Sequence, residues 1–167
     1  MGVRSCNHTF CFQAALLPRK TSRRLLSSAV WNCRRILRWC LVPSVGHTIG
    51  FWSNKNGQAV WAALYSGGLI DISPDKNLAK NANAKVMSVM LNAQLTALKL
   101  NVAAGYVDGS AYYIPYGGTI NELIAEATAA LSSSDRDYQG MLKNYIDQLN
   151  NGAPVVPPLP CPYTFPA

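Results

Sequence analysis

From Lys80 to Ala104 the chain runs for 25 residues without a proline or a glycine. As one continuous helix this segment would be roughly 37 Å long. Val86, Met90, Ala93, Ala97, Leu100 and Ala104 fall on one apolar stripe at helical spacing, and Met87, Leu91, Leu95, Leu98 and Val102 fall on a second. Only a narrow polar strip, centred on Asn92, Thr96 and Lys99, is left for solvent. A helix that is apolar over most of its circumference needs neighbours on several sides. The segment is therefore expected to be the buried central helix of a domain, with Gly105 as its left-handed stop.

The flanking sequence supplies those neighbours. Gln58 to Tyr65 reads as a helix capped by Ser53 or Asn56 and closed by Gly67 or Gly68. Ser73-Pro74-Asp75 has the order of a helix start: a capping hydroxyl, proline in the first turn, then an acid. Thr119 to Glu122 fits a capping box ahead of Ile120, Leu123, Ile124, Ala127 and Leu131. Ser134 and Asp137 can open a last helix carrying Tyr138, Leu142, Tyr145, Ile146 and Leu149, which Asn151-Gly152 ends. Tyr112 to Ile114 is β-like. The expected fold is all-α, an irregular bundle of about four helices around a long buried central helix, with a small β-like loop.

Charge divides the chain. Residues 1–46 hold eight Lys or Arg, no Asp or Glu, and four of the five cysteines. Residues 47–167 hold the other seven basic residues and all eight acidic ones, 7 − 8 = −1. The formal charge of +7 thus belongs to the N-terminal piece, and the main domain offers no basic surface for nucleic acid. The expected organisation is a basic N-terminal segment (1–46) that is disordered or not native protein, a helical domain (47–152) and a Pro-rich tail (153–167). The first segment is also open to reading as an atypical export signal or as a basic arm for anionic surfaces or nucleic acid. No stretch approaches the roughly 20 apolar residues of a transmembrane helix.

Little in the chain points to chemistry. No CxxC pair exists, so a structural zinc site is not expected, and Cys161 is left to be a free thiol or to join Cys40 or Cys33 in a disulfide pinning the tail. His47 has no nucleophile or acid at a catalytic spacing. Glu122 and Glu126 share a helix face, but capping accounts for the first and solvation for the second. Asp71, Asp75 and Asp108 form no calcium loop, and no phosphate-binding or nucleophile-elbow motif is present. The expectation is a non-enzyme with no metal and no cofactor.

Two stretches carry a resemblance. HTIGFWSNKNGQ at His47 to Gln58 resembles the "GFWSNKNGQ" or "GYWKNH" opening of uncharacterised modules in secreted and surface proteins of bacteria. MLNAQLTALKLNVAAGYVDG, at Met90 to Gly109, resembles the QLxAxxLN helix that follows in them, and GTINELIAEA and CPYTF keep their usual order. The resemblance spans about 46–165 and implies an extracellular or cell-surface structural or interaction module, with an unidentified protein or glycan as partner. Its candidate residues are Phe51, Trp52, Asn54, Asn56, Gln94 and Asn101. Phe51 and Trp52 are read either as a lid on the core or as an aromatic platform for a glycan. Gln94 and Asn101, seven apart, are read as amides that tie loops to the helix or as residues lining a site.

Overall fold

The structure is a computed structural model, and it describes residues 41–158. Cys40 and Cys161, the candidate disulfide pair, lie outside the described residues, as does nearly all of the basic N-terminal segment. Helix dominates. Six helices are present among the described residues: α1 (Ile49–Ser53), α2 (Lys55–Ser66), α3 (Leu78–Asn81), α4 (Met87–Ala103), α5 (Ile120–Ala130) and α6 (Arg136–Asn150). Four two-residue strands accompany them: β1 (Val42–Pro43), β2 (Tyr112–Tyr113), β3 (Gly118–Thr119) and β4 (Pro154–Val155).

The long apolar run is not one helix. It breaks between Asn81 and Met87, leaving 17 residues in α4. The cause lies in Asn81-Ala82-Asn83-Ala84. Asn83 Nδ2 donates to Ala79 O, Asn81 Nδ2 donates to Asp75 Oδ2, and the backbone tightens through Asn83 N to Lys80 O. Asparagine side chains that bond locally compete with the helical ladder. Val86 is then extended, at φ −91° and ψ 123°, and 56% exposed, so it does not belong to the buried stripe. Thr96, expected on the solvent strip, is buried at 6%; the open side of α4 runs along Val89 and Asn92 and closes there. Gly105 does take the left-handed stop, at φ +74°.

Two faces of α4 serve two apolar clusters. Leu91, Leu95 and Leu98 pack with Leu123, Ala127, Leu142, Ile146 and Leu149 from α5 and α6. Ala93, Ala97 and Leu100 pack with Trp52, Trp61, Leu64 and Leu78 from α1, α2 and α3. Large side chains thus fill one side of α4, and alanines leave room for two indoles on the other. Contacts between α4 and α6 advance in the same direction along both: Lys85 with Arg136, Met87 near Gly140, Gln94 with Asp147, Asn101 with Asn150. Parallel neighbours need a crossover, which the β2–β3 hairpin and α5 provide.

Helix starts differ from the sequence expectation at three places. Asn54, not Ser53 or Asn56, caps α2. Ser73-Pro74 starts no helix; Asp75 instead accepts from Asn77 N, and α3 begins at Leu78. Asp135, not Ser134, caps α6 by accepting from Tyr138 N. The Thr119–Glu122 capping box on α5 is present in both directions.

The domain edge also lies upstream of residue 47. β1 pairs antiparallel with β4, Val42 opposite Val155 and Pro43 opposite Pro154. Ser44 N donates to Ala153 O, so the alternation of an antiparallel ladder puts the two prolines at the pair where neither needs an N–H. Ser44 Oγ donates to Leu149 O at 2.8 Å, and Ser44 is buried. The start of the Pro-rich tail is thus a strand, and Tyr112 and Val156 exchange two backbone bonds that join it to the β2–β3 hairpin.

Candidate functional site: an amide network beneath an aromatic loop

The GFWSNKNGQ stretch folds into α1, a one-residue break at Asn54 and the start of α2. Asn54 Oδ1 accepts from Gly57 N at 2.9 Å. Gly57 must be glycine, because a Cβ there would lie 2.0 Å from Phe51 O and 2.7 Å from Trp52 Cα. Gln58 Nε2 donates to Trp52 O at 2.7 Å and to Asp75 O at 3.2 Å. Each of these side chains holds the turn that places Trp52. Asn56 is exposed, as Asn54 is, but unlike Asn54 and Gln58 its side chain makes no hydrogen bond among the described residues.

Trp52 is fully enclosed, and its Nε1–H donates to Asn101 Oδ1 at 3.1 Å. The same oxygen accepts from His47 N at 2.8 Å. Asn101 Nδ2 donates to His47 O and to Asn150 Oδ1, each at 2.9 Å. All four bonds a carboxamide can make are therefore made, in a side chain with no exposure. Asn150 Nδ2 continues the chain to Gln94 O and Oε1, and Gln94 Nε2 donates to Asp147 Oδ1 at 2.9 Å. Gln94 and Asn101 thus share one network, through Asn150, which sequence reasoning did not single out. Asn101 O accepts from Tyr106 N and Val107 N, anchoring the loop after Gly105. Gly46 fits because a Cβ there would meet Leu149 O at 2.9 Å.

Over this network lies an aromatic group. The His47 ring stacks on Phe51 at 3.9 Å and meets Tyr106 edge-on at 4.5 Å. Phe51 and Tyr106 are half-buried, whereas Trp52 has no face left for a ligand. An exposed aromatic surface here would consist of Phe51, Tyr106 and His47.

A second polar cluster joins α5, α6 and the hairpin. Glu126, expected to be merely solvated, accepts from the hydroxyls of both Tyr116 and Tyr138. Those two bonds, Tyr116 first, hold its carboxyl below the usual carboxylate range. Burial, then the bond to Glu126 and its charge, pushes the Tyr116 phenol up. Glu122 is also held low, by the Thr119 N–H and then the Thr119 hydroxyl, as its capping role requires. Tyr113 O–H donates to Gln148 Oε1 at 2.7 Å. Each Glu126 oxygen takes one phenol, so the carboxylate ties the hairpin turn at Tyr116 to α6 at Tyr138.

Among the described residues, no group of three or more His, Cys, Asp or Glu could hold a metal, and no helix is long and apolar enough to cross a membrane. Asp108 caps its own turn by accepting from Ser110 N and Oγ. Comparison with protein-family models, with curated proteins and with solved structures finds no match.

Proposed function

We propose that this chain carries an extracellular or cell-surface interaction module with a structural role and no catalysis, built as an irregular helical bundle around α4. One observation carries the reading: Asn54, Gln58 and Asn101 of the resembling motif are spent on the fold. Asn54 caps, Gln58 clamps Trp52 O, and Asn101 uses its whole carboxamide on His47, Trp52 and Asn150. A catalytic amide or acid would keep bonding capacity for substrate. The partner is a protein or glycan held without a cofactor. The half-buried ring of Phe51, flanked by His47 and Tyr106, favours a glycan as the second reading, because sugar faces stack on such rings.

The test is a screen of the full chain on immobilised glycans, cell-surface proteins and generic hydrolase substrates. Retention without turnover is expected. Turnover that disappears in Gln94→Leu or Asn101→Leu, while those variants melt like the parent, overturns the non-catalytic reading. Glycan retention lost in Phe51→Ala selects the second reading.

A further inference from the structure

A cleft of about 450 Å³ lies between the α2–α3 connection, the C-terminal half of α4 and the start of α5. That is within the size range of small-molecule sites. Its apolar surface comes from Leu69, Ile70, Val102 and Ile124, and Leu69 stands 66% exposed at the rim. Three polar side chains line it as well: Asp71, Lys99 and Asn121. None of the three makes a side-chain hydrogen bond or ion pair among the described residues.

The contrast with neighbouring acids gives this weight. Asp75 is used by Asn77 and Asn81, and Asp108 by Ser110, whereas Asp71 is unused. Asp71 and Lys99 carry opposite charges into one cleft without pairing to each other. The Asn121 amide lies beside Gly109, where a Cβ would come within 2.3 Å of its Oδ1. A positive group, a negative group and an amide beside an apolar floor describe the complement of one kind of ligand.

We infer that this cleft binds a small apolar zwitterion of dipeptide size, its carboxylate at Lys99, its ammonium at Asp71 and its central amide at Asn121. The pair sums to zero charge, so a ligand that is neutral overall but charged at both ends matches it. Aliphatic side chains then cover Leu69, Val102 and Ile124.

The probe is the dipeptide leucyl-leucine, titrated into the ¹⁵N-labelled full chain and followed by amide chemical shifts. Saturable shifts confined to residues 68–71, 99–103 and 121–124, at a Kd of about 1 mM or tighter, are expected. N-acetyl-leucyl-leucine, without the ammonium, and leucyl-leucinamide, without the carboxylate, should each bind about tenfold more weakly. Asp71→Asn should erase the penalty for acetylation only, and Lys99→Met the penalty for amidation only. Both side chains are unpartnered at the surface, so both variants should melt like the parent. Shifts that do not saturate by about 10 mM, shifts elsewhere on the molecule, or equal binding of the capped peptides each overturn the assignment.

Discussion

Asn101 holds the Trp52 indole by its N–H at 3.1 Å, across 49 positions of sequence, with both residues fully enclosed. That bond joins α1 to α4 and sits at the centre of the network reaching α6. Replacing Asn101 with Leu leaves Trp52 Nε1, His47 N, His47 O and Asn150 Oδ1 without this partner. An unsatisfied buried group costs about 1–3 kcal/mol. A loss of about 4 kcal/mol or more is expected in urea unfolding. Gln94→Leu should cost less, about 1–2 kcal/mol, because its partners Asp147 and Asn150 are partly solvated or have other bonds.

Trp52 separates packing from hydrogen bonding. Trp52→Ala empties a fully enclosed site and should cost about 3–5 kcal/mol. Trp52→Phe keeps most of the ring and forfeits the bond to Asn101, so about 1–2 kcal/mol is expected. Chemical denaturation of the two variants reads the split. A Trp52→Phe cost near zero would mean that the bond contributes little, and equal costs would mean that packing of the ring does.

Much of this site was legible in sequence, and the reasons for the misses are physical. Asn101 and Gln94 stood out as amides on an apolar helix, which must find partners, and they do. Asn150 did not stand out, because it falls between the last apolar residue of the helix, Leu149, and the Asn151-Gly152 stop. Glu126 was assigned to solvent because its partners Tyr116 and Tyr138 lie 10 and 12 residues away, beyond helix spacing. The end of α4 was fixed by Gly105, but its start was hidden: Ala82 and Ala84 keep the apolar count high while Asn81 and Asn83 bond locally. The β1–β4 pair was invisible because a strand of two residues has no period to detect.

Two glycines should respond in opposite directions to alanine. Gly57→Ala drives a Cβ to 2.0 Å from Phe51 O, a backbone atom that cannot rotate away. The α1–α2 turn must open, and a cost of about 3 kcal/mol or more is expected. Gly140 lies inside α6, and its nearest contact is the flexible Met87 side chain at 3.6 Å. Gly140→Ala should be neutral or stabilising by about 0.5–1 kcal/mol. Thermal melts of both variants settle the comparison.

The Glu126 cluster sets a pH window. The Glu126 carboxyl is lowered in the fold, so its contribution is present above the ordinary carboxylate pKa and is lost as pH falls through the folded value. Tyr116 is raised, so its contribution is fully present below the ordinary tyrosine value of 10.0 and is lost as pH rises through the higher folded value. Stability should therefore slope downward at both the acid and the alkaline end. Tyr116→Phe should reduce both slopes, and Glu126→Gln should shrink the acid one, of which Glu122 keeps its share. The Tyr116–Glu126 coupling, read by a double-mutant cycle in urea, should be about 1 kcal/mol given its partial exposure.

Truncation locates the domain edge. Val42 packs against the α5–α6 cluster, and Ser44 is buried with its hydroxyl on Leu149 O and its N–H on Ala153 O. A chain starting at Leu41 keeps all of these. A chain starting at Val45 loses β1, uncovers one edge of β4 and takes one of two donors from the Leu149 carbonyl, which keeps Gly152 N. The lost hydroxyl bond and the lost Val42 burial together should cost about 2–3 kcal/mol. For a domain of this size that is a drop of roughly 8–15 °C in Tm. Calorimetry on the two truncated chains makes the comparison. Equal midpoints would place the edge at residue 47, where charge alone had put it.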